Sequence, residues 1–218
     1  KFDNRKILYE KVDVREKISL KHQIKIDRVY NFAAIHTTPG HDPHEYYMTN
    51  VYGALNVNAI CRVLQPKVLV FTSTMSVYEP TRAPKHEGSV ASPVSDYGRS
   101  KLLAEEIHKE YAESSRVQLI ICRPAVIFGE NENGNFSRLA RLVKMGLFIT
   151  PGLGDTIKSC YYVGCLISDL EYATSCNEKL ILFNASYSGE ITLNDIRHGF
   201  SKTLKTKLIH ITLPARFV

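Results

Sequence analysis

Two side chains in the stretch Tyr97-Gly98-Arg99-Ser100-Lys101 have the types and the spacing to move a proton. A phenol and an ammonium four residues apart share one face of a helix. A phenol titrates near pH ~10 in water, and a neighbouring ammonium favours the phenolate and lowers that value. A phenol so tuned works as an acid or base near neutrality. Tyr-x-x-x-Lys by itself also describes the solvated start of a surface helix. The hydroxyls upstream give it weight. Val68-Leu69-Val70-Phe71 reads as a buried strand. It runs into Thr72-Ser73-Thr74 and then Met75-Ser76-Val77-Tyr78. The carboxyl ends of parallel strands are where an α/β sheet places its chemistry.

The elements that must position these groups follow in order. Residues 7–14 read as a strand ending in Asp13-Val14-Arg15, and Arg28–Ala34 as the next. Residues 35–41, Ile-His-Thr-Thr-Pro-Gly-His, form a loop. Asp42, Pro43 and Glu45 are the N-cap, first residue and capping-box partner of a helix. Met48, Tyr52, Leu55, Ala59 and Val63 recur at helical spacing along it. Gly53 is costly inside that helix and implies close packing against a neighbour. Residues 102–111 read as an amphipathic helix that buries Leu103, Ile107 and Tyr111, with Glu105 and Lys109 an exposed pair. Strands are expected at 117–122 and 179–184 and a short one at 208–211. A helix follows Asn135, and another is capped by Thr192 with Asp195.

Composition narrows the class. The chain has 218 residues, 44% hydrophobic and 23% charged, as soluble globular proteins do. No apolar run approaches ~18 residues, so no membrane span is expected. Five cysteines without Cys-x-x-Cys spacing read as reduced thiols in a cytoplasmic protein. The net charge is +6, but the Lys and Arg are scattered without an aromatic stacking module. A polyanionic small ligand is therefore preferred over nucleic acid. His36, His41 and His44 could be read as metal ligands. No Cys or carboxylate cluster completes such a set, so contact with a substrate is preferred and no metal is expected.

Together the Thr72–Tyr78 segment, Tyr97-x-x-x-Lys101, Asn31-Phe32-Ala33-Ala34 and Arg123-Pro124 closely resemble the extended short-chain dehydrogenase/reductase superfamily. Within it they are similar to the NAD-dependent sugar-nucleotide epimerases and dehydratases of the UDP-glucose 4-epimerase type. The resemblance implies a Rossmann-like, doubly wound parallel sheet over residues 1–124 and a smaller substrate domain over 125–218, with 165–186 returning to the sheet. It implies Thr74, Tyr97 and Lys101 as the catalytic set, with Ser73 a possible substitute for Thr74. NAD, or NADP, would be held by Asp13, Val14, Phe32, Ala33, Ala34, Asn50, Thr72 and Pro124 together with Tyr97 and Lys101. A strand-end Asp13 capping its own turn is an equal reading from physics alone. A nucleoside-diphosphate sugar would meet His36, Thr37, Thr74, Met75, Ser76, Asn135 and Lys158. Lys158 stands where relatives carry Arg, and a point charge replaces a bidentate fork. A homodimer through the helices 45–64 and 102–111 is implied as well.

The resemblance also implies the reaction. Tyr97 would take a sugar hydroxyl proton, Thr74 would hold the same oxygen, and the sugar would pass through a 4-keto form. A bound nicotinamide's positive charge would add to Lys101 in lowering the phenol's pKa. Relatives that dehydrate the sugar place acids after the catalytic hydroxyl. Here Met75 and Ser76 stand there, which favours 4-epimerisation over dehydration. An NAD(P)H-dependent reductase and a non-catalytic binding relative are the alternatives. No Gly-x-x-Gly-x-x-Gly occurs in the chain. That turn binds the pyrophosphate of a dinucleotide. The 218 residues are accordingly expected to belong to a longer protein that supplies the first βαβ unit.

Overall fold

Val68–Thr72 (β2) and Gln118–Pro124 (β3) lie at the centre of a four-stranded sheet because each holds an apolar run, Val68–Phe71 and Leu119–Cys122. Such runs satisfy a sheet covered on both faces. In this computed structural model, which describes residues 7–21, 25–37, 40–130, 132, 134–152, 154–205 and 208–213, the order is Arg28–Asn31 (β1), β2, β3, Leu180–Ala185 (β7). β1, β2 and β3 are parallel, with Asn31 opposite Phe71 and Thr72 opposite Cys122. That register sets the carboxyl ends of three strands side by side. The loops that carry hydroxyls and amides all leave from this edge.

The chain forms two units. The first holds Lys1–Arg123 and Leu170–Asn184, and the second Pro124–Asp169 and Ala185–Val218. In the first, Pro43–Tyr46 (α1) continues through a π-helical turn, Tyr47–Tyr52, into Gly53–Leu64 (α2). Asp96–Glu113 (α3) packs beside it. Ala54, Val57 and Cys61 of α2 and Ala104, Tyr111 and Ala112 of α3 close on Leu69, Phe71, Leu119 and Ile121 of the sheet. In the second unit Val126–Phe128 (β4) pairs with Cys160–Tyr162 (β6), and Leu147–Pro151 (β5) pairs with Ile209–Leu213 (β8). Asn135–Lys144 (α4) and Leu193–Leu204 (α6) cover a small core of Val143, Phe148 and Leu208. Val163–Ser175 (α5) completes the helices. Thr192 and Asp195 form the expected capping box of α6. No helix among the described residues is long and apolar enough to cross a membrane. All five cysteines are free thiols.

Four expectations need correction. Residues 7–14 form no strand, because no described residue offers them a ladder; they run exposed to a turn at Val14 and Arg15. β1 stops at Asn31 rather than Ala34, since the Asn31 side chain accepts a hydrogen bond from Ala33 N–H (3.2 Å) and turns the chain. The third helix begins at Asp96, capped by Ser95, so Tyr97 and Lys101 lie inside its first turns. Of its expected buried stripe, Tyr111 lies in the core and Ile107 packs against it, but Leu103 does not. Leu103 is 47% exposed, whereas Glu105 is fully buried against Arg123, and Lys109 pairs with Glu106 instead.

Candidate functional site

The Thr74 loop and the start of α3 are pressed together at the carboxyl edge of β2. Thr74 opens a 3-10 turn, Met75–Val77, by accepting a hydrogen bond from Ser76 N–H at 3.1 Å. A Cβ added at Gly98 would collide with the Ser76 carbonyl oxygen and sit 3.0 Å from Pro93. Only glycine lets the first turn of α3 approach that backbone so closely. The approach sets the Tyr97 phenol near the Thr74 side chain, close enough for Thr74 to favour the phenolate. Sequence reasoning overlooked Gly98. Its signal was a glycine between the two reacting groups, at a helix position where glycine is otherwise unfavourable.

Burial raises the Tyr97 phenol above its ordinary value, and the nearby Thr74 side chain opposes the rise. The expected lowering by Lys101 is absent. The reason is geometric: Lys101 Nζ lies 4.2 Å from the centroid of the Phe71 ring, turned toward the core. Lys101 is 1% exposed, and desolvation brings its amine down to about 7 while the Glu105 carboxylate pulls the other way. At neutral pH the site therefore holds a protonated phenol and, one helical turn on, an amine poised between its two forms.

A buried polar frame surrounds this pair. Asn50, in the π-helical turn, accepts from Ile35 N–H (3.0 Å) and donates to the Ile35 carbonyl (3.2 Å) and to Ser100 Oγ (2.9 Å). Ser100 in turn donates to the Tyr97 carbonyl (2.8 Å). Asn50 thus ties the loop after β1 to the turn that carries Tyr97. π-helical turns are found preferentially at functional sites. His108 donates from Nδ1 to Asn58 Oδ1 (2.7 Å) and accepts at Nε2 from Asn31 (3.1 Å). Those two partners fix the neutral tautomer, and burial together with Lys101 depresses the imidazole to about 3.

The remaining residues fall into three groups. Asp13, Val14 and Ala33 line, with Lys11 and Val12, an open cavity of about 450 Å³ in the first unit. Asp13 is exposed and held by Arg15 at 2.6 Å, and its side chain accepts from Arg15 N–H (2.9 Å), so it caps its own turn. That ion pair lowers the Asp13 carboxyl to about 2. Val14 packs on Gly53, where an added Cβ would come within 3.0 Å of it, and accepts from Asn56 Nδ2 (2.8 Å). Gly53 is therefore the close-packing position its cost implied. Ala34 is half-buried, and Phe32, His36, Thr37 and Ser76 are exposed, while Met75 is half-buried. Thr72 donates to the Asn31 carbonyl (3.4 Å), and the Thr37 carbonyl accepts from Tyr46 (2.5 Å). The Tyr46 ring lies 6.2 Å from that of Tyr97. His41 pairs with Glu45 at 3.2 Å. Pro124, Asn135 and Lys158 belong to the second unit. Lys158 is exposed, and its N–H donates to the Ile191 carbonyl (2.7 Å). The Asn135 side chain, Thr38, Pro39 and Leu153 lie outside the described residues.

Parallel strands with helices packed on them define a Rossmann-type α/β protein, and a hydroxyl, a phenol and a buried amine lie at one carboxyl edge of its sheet. The chain belongs to the NAD dependent epimerase/dehydratase family, whose family model matches residues 3–153. It is 30% identical over 206 residues to the N-acetyl-alpha-D-glucosaminyl-diphospho-ditrans,octacis-undecaprenol 4-epimerase of Escherichia coli O157:H7, covering 93% of this chain and 62% of that protein. A 67-residue stretch, 30% of this chain and 20% of the relative, is 43% identical to the UDP-glucose 4-epimerase of Yersinia pestis. Among solved structures, the UDP-N-acetylglucosamine 4-epimerase of Methanobrevibacter ruminantium M1 superposes with a TM-score of 0.78 at 22% identity, over 86% of this chain and 64% of that one. The likeness to that structure is one of fold. The chain spans about 62% of the length of the first of these relatives.

Proposed function

We propose that this chain carries the reacting groups of an NAD-dependent 4-epimerase that acts on a hexose held through a diphosphate. The observation that supports it most is the close approach at Gly98 of the helix that carries Tyr97 to the turn that Thr74 opens, with Lys101 buried one helical turn on. Tyr97 removes the proton of the sugar hydroxyl while Thr74 holds the same oxygen. Lys101 steadies the charge that develops on the phenol. NAD, if bound, would supply the hydride acceptor, and then the donor, for the sugar carbon. Asp13, Val14 and Ala33 suit its adenosine end, since they already line an open cavity. Phe32, Ala34, Asn50, Thr72 and Pro124 complete the set we assign to the cofactor. The unit of residues 1–123 is the cofactor unit in this reading. We assign Asn135 and Lys158 to the diphosphate and His36, Thr37, Met75 and Ser76 to the sugar. Met75 and Ser76 supply no acid for elimination, which favours epimerisation over dehydration.

The carrier of the diphosphate has two readings. A nucleoside is the first, as in the UDP-sugar relatives. A polyprenyl chain is the second, favoured by the relative that aligns over 93% of this chain and is named for an undecaprenol-linked sugar. Turnover of UDP-N-acetylglucosamine against its undecaprenyl-diphosphate counterpart separates them. Tyr97→Phe tests the site: turnover should vanish while sugar-diphosphate binding persists, and an active variant refutes the assignment. We also place the protein in the cytoplasm, where free thiols persist, and as a homodimer. Met48, Tyr52, Leu55, Ala59 and Val63 form an exposed stripe along the Tyr47–Leu64 segment that supports pairing. Leu55→Asp with Val63→Asp should turn a wild-type dimer into a monomer by light scattering; a monomeric wild type would remove the dimer, and a variant that stays dimeric would remove this interface.

A further inference from the structure

Tyr97, Lys101 and Glu105 follow one another at four-residue steps along α3, and His108 continues the same face. Helices normally present such side chains to water. Here Lys101, Glu105 and His108 are 1%, 0% and 0% exposed. Glu105 receives a fork from Arg123 of β3, Nε at 2.9 Å and a terminal nitrogen at 2.6 Å. The other terminal nitrogen donates to the Tyr78 hydroxyl at 2.7 Å. Tyr78 closes the 3-10 turn that Thr74 opens, and its hydroxyl also lies 3.1 Å from Asn184 Oδ1 and from the His86 carbonyl. Glu87, on the same loop, accepts from Asn184 N–H at 2.7 Å. A continuous chain of polar contacts therefore runs from the turn after Lys101, through β3, to the loop that holds Thr74.

An ion pair of this kind is a poor choice for stability alone, because an apolar set of the same volume packs as well or better. What an apolar set cannot do is place a carboxylate one helical turn from a buried amine. The other buried titratable side chains on the elements packed around Lys101 are the neutral His108 and Tyr111 on α3, beside the half-buried Tyr97, Tyr78 after β2, Cys122 and Arg123 on β3, and Tyr46 and Cys61 on the helical segment 43–64; Asp96, Arg99, Glu106, Lys109, Glu110 and Glu113 of α3 and His44, Glu45, Tyr47, Tyr52 and Arg62 of that segment are not buried. The Cys61 thiol is raised to about 11 and stays neutral, and the second cation, Arg123, is bound up with Glu105. Glu105, one helical turn on, is thus the anion that favours the charged form of Lys101.

We propose that Glu105 is a positioning residue that holds Lys101 as a cation one helical turn from Tyr97, and that Arg123 divides the Glu105 charge between this task and the anchoring of the Thr74 loop through Tyr78. The inference rests on the reading of Thr74, Tyr97 and Lys101 as the reacting set.

The test reads Lys101 directly, by following lysine 13Cε resonances of the full chain with pH and assigning Lys101 from Lys101→Arg. Glu105→Gln should move the Lys101 titration down by about one pH unit or more. Arg123→Gln should move it up, because one of the two cations that share the Glu105 carboxylate is gone. The opposite signs are the signature, since loosened packing would move both variants the same way. If Glu105→Gln fails to fold, Arg123→Gln alone decides: an upward shift supports the proposal, and no shift or a downward one overturns it. In turnover, the alkaline limb of the pH profile should follow the same two directions. Wild-type titration of Lys101 in both variants overturns the proposal. Absence of turnover with every sugar diphosphate, beside shifted titrations, would instead refute the epimerase reading and leave the positioning role standing.

Discussion

Replacing Lys101 by Met should make this protein more stable as it makes it inactive. The side chain is buried to 1% exposure, and its amine is brought from 10.5 to about 7. At about 1.4 kcal/mol for each pH unit, carrying the charged form into the fold costs roughly 5 kcal/mol. Met has nearly the same length, keeps the contact with Phe71 and carries no charge. Glu105 is not stranded, because Arg123 already holds both its oxygens. The sign follows from proton counting. Between about 7 and 10.5 the unfolded chain binds a proton at Lys101 that the folded chain has released, so wild-type stability from this group rises with pH through that window. Below about 7 both states are protonated and the full penalty is present. Urea unfolding of wild type and Lys101→Met, followed by circular dichroism, should show the variant more stable by about 3–5 kcal/mol at pH 6. The difference should shrink toward zero by pH 10. A variant no more stable at pH 6, or an advantage independent of pH, would refute the reasoning. A residue kept at such a cost to the fold is one kept for what it does.

Three further outcomes follow from the geometry. Gly98→Ala should push α3 away from Ser76 and lose turnover by more than tenfold, with a stability loss of about 1–3 kcal/mol; comparison of kcat with thermal midpoint checks both, and an active Gly98→Ala would mean the close approach is unimportant. Arg123→Met leaves Glu105 buried without its fork and should destabilise the chain by about 3–5 kcal/mol in urea. Asn58→Ala removes the acceptor of the His108 Nδ1 proton, at a cost of about 1–3 kcal/mol, and an unchanged unfolding midpoint would show that another acceptor replaces it.

The parts of the fold legible in the sequence were those fixed by local chemistry. β2 and β3 announced themselves through unbroken apolar runs, and α6 through its Thr192–Asp195 box. Gly53 betrayed its neighbour by its cost. What was misread depended on partners distant in sequence. Residues 7–14 have strand composition, but a strand exists only where another backbone completes its ladder. Glu105 was assigned to solvent because Lys109 lies four residues on; nothing local announces that Arg123, eighteen residues away, is its partner. The four-residue spacing of Tyr97, Lys101 and Glu105 was visible throughout, and charge masked it as a solvated face. The Tyr97 shift was misjudged for the same reason. Spacing set the Lys101 backbone on the right face, but only packing against Phe71 decided where its ammonium went.

The π-helical turn at Tyr47–Tyr52 carries a consequence for the surface beyond it. Such a turn accommodates one more residue than an α-helical turn, so everything after Tyr52 is set out of phase with everything before it by one position. Deleting one residue from this turn would restore a regular helix and rotate each later side chain by about 100° around the axis. Gly53 would leave Val14, Asn58 would leave His108, and the oily stripe of Leu55, Ala59 and Val63 would swing toward the sheet. One supernumerary residue thus acts as a phase-setter, deciding at once what the helix offers to the interior and what it leaves outside.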